Sequence, residues 1–277
     1  MGLSLPYKRT VRQLKDNSYQ NNGNGDYVTH PDFSDSPGQY IRAFLLIQKD
    51  LLNLFDYIEP SDINLNTYSY RIHELLIRTC IEIEANFKAI LLENGYIKVD
   101  KKGKPLDLKI IDYKKVNLTH RLSSYDIQIP NWMGKQTIRR PFENWKISDT
   151  LPWYIAYNET KHDRHKNFHI ANFENLIDSV CGLVALLSSQ FLTNDFSPVC
   201  LLASEGPNDG LENAIGDYFR VKFPDDWTDA EKYDFNWHSI TEKQIMKINY
   251  NSIKNSLALI HRASYGAKHP VMKPRLN

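Results

Sequence analysis

Apolar residues recur at helical spacing in four long segments of the chain. The first covers 37–58 and ends before Pro60, and the second covers about 66–93. A third helix is expected to begin near 151, because Pro152 suits a first helical turn. The fourth has a continuous apolar stripe from Phe173 to Phe191. Such stripes are buried against one another, which predicts a mainly all-α fold, a four-to-five-helix up-down bundle.

The segments outside these helices are less regular. Residues 1–36 are polar and rich in Asn and Gly, which predicts a flexible arm. Residues 97–148 form a long insertion with a short helix near 109–122 and an extended segment near 125–130. Aromatic residues should fix this insertion to the helices, namely Trp132, Phe142 and Trp145.

The character of the sequence changes after residue 193. Residues 217–224 alternate like a strand, with Phe219, Val221 and Phe223 on one face. We therefore expect three parts: the arm at 1–36, a helical bundle at 37–193, and an irregular C-terminal extension with a short strand at 194–277, packed on the bundle.

Composition limits the classes of function. The formal net charge is +1, so any affinity for nucleic acid must come from a local patch. The three cysteines are scattered and the N-terminus does not resemble a signal peptide, which favours a cytoplasmic protein. The longest apolar run, at 180–187, is too short to span a bilayer, so no membrane association is expected.

Titratable residues are concentrated just before the fourth helix, in the segment NETKHDRHKNFH at 158–169. If the helix were continuous, His162, His165 and His169 would share one face and could meet a metal ion. No accompanying HExxH motif or cysteine ligand set supports such a site, and our expectation is no metal and no other cofactor. A second interpretation is a solvated turn without function.

A third interpretation is acid–base chemistry on a phosphodiester. Histidine suits proton transfer near neutral pH, and arginine binds phosphate with a fork of donors. Arg164 and His169 do not share a face of a regular helix. This chemistry therefore requires Arg164 in the turn before the fourth helix, with His169 one turn inside it.

The segment RHKNFH at 164–169 resembles the R-x4-6-H motif of the HEPN superfamily. The surrounding residues 152–187 are similar to the WW-x-x-YN-x-x-KH-x-R region of HEPN-like bacterial proteins, and 74–96 resembles their second helix. The resemblance covers about 36–193. It implies an all-α, often homodimeric, metal-independent endoribonuclease of a toxin–antitoxin, abortive-infection or other defence system. It also implies catalytic roles for Arg164 and His169, with His165 as their polar partner.

Several nearby residues are candidates for supporting roles. Asn158, Lys161 and His162 flank the motif and offer contacts to phosphate. Arg78 and Glu82 lie on one row of the second helix, and we expect them to face inward and orient the turn at 161–164. Glu82 and Glu84 bracket Ile83 and point to different sides, and continuity with Arg78 favours Glu82. The alternative is a solvated ion-pair ladder.

The competing hypothesis for the whole protein is a non-catalytic helical module. It would bind RNA, a nucleotide or a protein partner such as an antitoxin through the same basic turn. The basic segment at 261–275 offers a further weak contact to nucleic acid, although a solvated tail explains it equally.

Overall fold

The computed structural model describes residues 2–196 and 209–253. Cys200 and the basic segment at 261–275 lie outside this part. Within it the chain is mainly helical, with a small antiparallel sheet. The helices are α1 (Pro37–Phe55), α2 (Tyr70–Glu93), α3 (Ile110–His120), α4 (Pro152–His162), α5 (Arg164–Asn167) and α6 (Phe173–Phe191). Short 3-10 turns lie at Asn21–Thr29, Asp62–Asn64, Leu122–Ser124, Glu143–Lys146, Phe168–Ile170 and Trp237–Ser239.

Helix α6 lies at the centre of the described part of the chain. Its apolar stripe is buried, and the helix packs against α2, α4 and α1. The predicted helix starts are explained by their caps. Ser69 accepts a hydrogen bond from the Ile72 amide at the start of α2, and Pro152 occupies the first turn of α4. The long helices expected from the apolar periodicity are therefore confirmed.

The sheet joins the insertion to the C-terminal extension. Its strands are β1 (Asp126–Gln128), β2 (Ile138–Arg139), β3 (Glu212–Asn213) and β4 (Arg220–Lys222), in the order β2-β1-β4-β3. All neighbours are antiparallel, and Ile127 is paired with Val221 at the buried centre. The short strand expected near 217–224 is confirmed, and the sheet also ties 97–148 to the extension.

The aromatic residues of the insertion are buried as expected. Trp132, Phe142 and Trp145 are each less than a tenth exposed, and the Trp132 ring stacks on Phe173 with centroids 6.2 Å apart. They fix the insertion against α6 and α2.

The first 36 residues are not the flexible arm that their composition predicted. Val11, Tyr27 and Phe33 are buried in the main core. The Arg9 side chain is also buried, and it donates hydrogen bonds to Glu93 (2.6 Å) and Gln190 (2.8 Å). Widely spaced apolar side chains within this polar segment join the core, where the Tyr27 ring contacts Tyr233 and Trp237 of the extension.

No helix in 2–196 or 209–253 is both long enough and apolar enough to cross a membrane.

Candidate functional site

A cleft of about 540 Å³ lies between the start of α2 and the junction of α4 with α5. It collects side chains from two regions of sequence that are about ninety residues apart. The lining residues are Tyr70, His73, Ile77, Thr160, Lys161, His162, Arg164, His165 and Phe168. We call this the histidine cleft.

The basic segment is broken into three short pieces. Helix α4 ends at His162, and Asp163 leaves the helical conformation with φ −140° and ψ 68°. The Asp163 carboxylate then accepts a hydrogen bond from the Lys166 amide and pairs with the Lys166 ammonium, both at 3.4 Å, which starts α5. A 3-10 turn follows, and α6 begins only at Phe173. The three histidines do not lie on one continuous helix, so the shared face that a metal site needed is absent.

The part of the chain that the structure describes contains no group of three or more His, Cys, Asp or Glu side chains placed to hold a metal ion. The charge of the histidine cleft is instead positive. Lys161 and Arg164 are permanent cations, and no carboxylate is among the lining residues. Within 2–196 and 209–253, Arg164 forms no ion pair with an acidic side chain. The cleft therefore suits an anion.

Arg164 lies against an aromatic ring. Its guanidinium carbon is 5.5 Å from the centroid of Tyr70. This contact holds the planar fork at the cleft while leaving its donors available for an oxygen ligand. Arg164 remains exposed.

Lys161 is held by the neighbouring turn of α4. Its Nζ donates a hydrogen bond of 3.0 Å to the hydroxyl of Tyr157. This bond is the main reason why the pKa of Lys161 is raised, and the nearby Glu84 adds to the effect. The ammonium therefore keeps its charge at every pH of physiological interest.

His73 enters the cleft from α2. Burial of the ring lowers its pKa, and the charge of Arg164 lowers it further, while a weaker interaction with the Thr160 backbone acts in the opposite direction. The buried Nε2 makes no hydrogen bond of normal length and angle to the described residues. His73 is thus neutral near pH 7 and able to accept a proton.

The structure places His169 differently from our expectation. Arg164 does precede α6, but His169 lies in the 3-10 turn Phe168–Ile170 and not one turn inside the helix. It is exposed and does not line the histidine cleft. The reason is the late start of α6, which Asn172 fixes by accepting a hydrogen bond of 3.0 Å from the Asn175 amide.

The expected supporting row on α2 does not reach the histidine cleft. Arg78 is exposed and pairs with Asp50 of α1, beside a separate cleft of about 270 Å³. Glu82 continues this row, and neither residue lines the histidine cleft. The inward glutamate is Glu84, which accepts a hydrogen bond of 2.8 Å from the Tyr154 hydroxyl.

The remaining candidates are divided between the cleft and its surroundings. His162 and His165 line the cleft and are exposed. Asn158 is half-buried and does not line it. Trp153 and Tyr157 are buried in the core.

Sequence reasoning missed the side of the cleft formed by α2. Tyr70, His73 and Ile77 lie one helical turn apart on a single face of α2, and this spacing was the available signal. Nothing in the sequence indicated that this face meets Phe168.

Comparison of the chain with protein-family models, with curated proteins and with solved structures finds no match in any of the three. The chemistry of the histidine cleft must therefore be argued from its own residues.

Proposed function

We propose that the protein is a HEPN-like RNA-binding protein that cleaves RNA without a metal ion, at the histidine cleft. One observation carries the proposal. The cleft combines two permanent cations with three histidines and no carboxylate. Cleavage of RNA without a metal ion requires two functions from the protein, phosphate binding and proton transfer.

Phosphate binding falls to Arg164 and Lys161. The guanidinium fork can hold two oxygens of one phosphate, and the ammonium adds a second positive charge. Charge that develops on the phosphorus oxygens during cleavage is stabilised by the same two groups. This arrangement supplies, from side chains, the electrostatic role that a metal ion has in other nucleases.

Proton transfer falls to the histidines of the cleft. A neutral ring removes the proton of the ribose 2′-hydroxyl, whose oxygen forms a bond to phosphorus while the bond from phosphorus to the 5′-oxygen breaks. A protonated ring gives its proton to that 5′-oxygen. The products are a 2′,3′-cyclic phosphate and a 5′-hydroxyl. We assign the base to His73 and the acid to His165, because both line the cleft beside Arg164 and the lowered pKa of His73 keeps its ring neutral.

The R-x4-H resemblance extends this proposal. It implies an all-α bundle that works as a homodimer in the cytoplasm, within a toxin–antitoxin or other defence system. The exposed position of His169 suits this form of the proposal, since its ring is available to the cleft of a second copy. Arg164 keeps its implied role within one chain, whereas His165, which the resemblance implies as a polar partner, becomes the general acid.

A second candidate function is binding of RNA or a nucleotide without cleavage. The absence of His169 from the lining of the cleft favours it, because the arginine and histidine of the motif do not face one site in a single chain. The basic cleft would then serve as an anion site alone.

The test is cleavage of labelled total RNA and tRNA in EDTA. Wild type would be compared with Arg164→Ala, His73→Ala, His165→Ala and His169→Ala. His238→Ala is a matched control, because His238 is exposed and lies elsewhere in the chain. Cleavage that leaves 2′,3′-cyclic phosphate ends, is lost in Arg164→Ala and persists in His238→Ala would support the enzyme. RNA binding without cleavage would favour the second candidate, and neither binding nor cleavage would refute both.

A further inference from the structure

An aromatic cluster stands at one side of the histidine cleft. Phe168 is at its centre, with the Tyr70 ring tilted against it at 4.7 Å and the Tyr68 ring meeting it edge-on at 5.5 Å. His73 approaches the same ring at 5.9 Å. The cluster thus connects the start of α2 to the turn that carries Arg164.

The two tyrosines are unusually exposed for such large rings. Tyr70 is 66% exposed and Tyr68 is 51% exposed. The aromatic residues of α4 are buried, since Trp153 and Tyr157 are at most 1% exposed and Tyr154 is 8% exposed. Tyr70 lines the cleft, and its exposed ring is therefore available to a ligand there, whereas the buried rings of α4 are not.

We propose that Tyr70 is a stacking platform for an unpaired nucleobase, so that the cleft selects single-stranded over double-stranded RNA. This inference rests on the proposed RNA-binding function and specifies its substrate class. The Arg164 guanidinium lies over the Tyr70 ring, with its carbon 5.5 Å from the ring centroid, so the cation and the aromatic surface are in one place. A base stacked on the ring leaves its own phosphate within reach of the guanidinium.

The physical basis is the accessibility of base faces. In a duplex each base face is covered by the neighbouring base pair, so an aromatic ring gains nothing unless the helix is opened. In a single strand the faces are free, and stacking on an aromatic side chain strengthens binding by about 5- to 150-fold per base. The cations act on both forms, because both carry phosphates.

The tyrosine hydroxyl is not needed for stacking. No hydrogen bond of the Tyr70 hydroxyl to another described residue accompanies the ring contacts. Tyr70→Phe should therefore keep the function, and Tyr70→Leu should remove it while keeping apolar packing against Phe168.

The experiment measures binding of a labelled 12-nucleotide 2′-O-methyl RNA. This RNA cannot be cleaved, because its methylated 2′-oxygen cannot attack the phosphorus. The single strand and its duplex would be titrated by fluorescence anisotropy against the full chain. The variants are Tyr70→Leu, Tyr70→Phe and Arg164→Ala. The matched control is Tyr57→Leu, since Tyr57 is 87% exposed and lines the separate cleft beside Asp50.

We expect Tyr70→Leu to weaken single-strand binding by about 5- to 150-fold and to leave duplex binding within about twofold. Tyr70→Phe and Tyr57→Leu should match wild type, and circular dichroism would verify folding of each variant. Equal loss for strand and duplex in Tyr70→Leu, or no loss for either, would overturn the stacking role. If Arg164→Ala still weakened both forms in that case, the RNA-binding proposal would survive. No binding of either form by wild type would overturn both proposals.

Discussion

The hydroxyl of Tyr154 donates a hydrogen bond of 2.8 Å to Oε1 of Glu84, joining α4 to α2. The Glu84 side chain is 19% exposed and also lies 3.8 Å from the Lys88 ammonium. Because α4 carries Lys161 at its far end, this bond fixes the helix that supplies one cation of the cleft.

Glu84→Ala should lower the free energy of unfolding by about 1–3 kcal/mol, because it leaves the Tyr154 hydroxyl without its acceptor. Glu82→Ala should change it by less than about 0.5 kcal/mol. Both substitutions replace glutamate by alanine within α2, so helix propensity cancels between them. Urea unfolding of the two variants would measure the difference, and equal losses would contradict an inward role specific to Glu84.

The choice between Glu82 and Glu84 shows what helical periodicity can and cannot supply. The apolar stripe of α2 established the helix and showed that the two glutamates point to different sides. Which side meets α4 depends on neighbours that are distant in sequence. We expected Glu82 to face inward because it continues the row of Arg78. Arg78, however, pairs with Asp50 of α1.

The same limit applies to the site. The segment carrying Arg164 and His165 was identified from local composition, because titratable residues crowded there are visible in the sequence. Tyr70 and His73 were missed because their role arises only when α2 packs against the α4–α5 junction. His169 was misplaced because the three residues Phe168–Ile170 form a 3-10 turn before α6, and helical periodicity assigns this turn to neither helix.

Residues 1–36 were predicted to be flexible because of their average polarity, although single residues within the segment anchor it to the core. The fully buried Arg9 donates to Glu93, to Gln190 and to the Asp35 carbonyl at 2.9 Å. Arg9→Met should lower the free energy of unfolding by about 3–5 kcal/mol, since it removes the buried guanidinium from Glu93, leaving only the Lys8 ammonium at 3.6 Å, and also removes the donor to Gln190.

Lys15→Met is the matched control for that variant. Lys15 also pairs with an acidic residue, Asp234 at 3.0 Å, but its side chain is 70% exposed. Lys15→Met should therefore lower the free energy of unfolding by less than about 1 kcal/mol. Urea unfolding of both variants measures the two effects. If Arg9→Met cost no more than Lys15→Met, the segment would not be anchored as described.

Stability should fall as the pH is lowered because of His120. The ring is fully buried, its Nε2 donates to the Arg9 carbonyl at 2.8 Å, and burial lowers its pKa from 6.5 to about 3. The unfolded chain therefore binds this proton more readily than the folded one. The contribution of His120 is complete above pH 6.5 and is lost progressively as the pH falls towards 3.

The size of this effect follows from linkage. Between pH 6.5 and pH 5, wild type should lose about 2 kcal/mol more stability than His120→Gln, at about 1.4 kcal/mol per pH unit. Asp178, whose pKa burial raises to about 6, acts in the opposite direction, so the comparison with the variant is essential. Urea unfolding at both pH values provides the measurement, and an NMR titration showing a neutral His120 ring at pH 5 would test the same point if the variant does not fold.

The contact of Arg164 with Tyr70 predicts that charge alone will not reproduce the function of the arginine. Arg164→Lys keeps the positive charge but loses the planar fork and its position over the ring. RNA affinity should fall by about 5- to 10-fold. The dependence of binding on salt should stay unchanged, whereas Arg164→Ala should reduce its slope by about one.

Arg71→Lys is the control, because Arg71 is 82% exposed at its side chain and lines the separate cleft with its partner Glu74. Anisotropy titrations at several salt concentrations would give both the affinity and the slope for each variant. Wild-type affinity in Arg164→Lys would mean that Arg164 acts as a point charge. Retained affinity in Arg164→Ala, with an unchanged slope, would remove this residue from the RNA site altogether. A phosphate-binding guanidinium that lies against an aromatic ring requires a specific pattern of results. Arg164→Lys should lose RNA affinity without a change in the salt slope, and Arg164→Ala should lose affinity with a smaller slope.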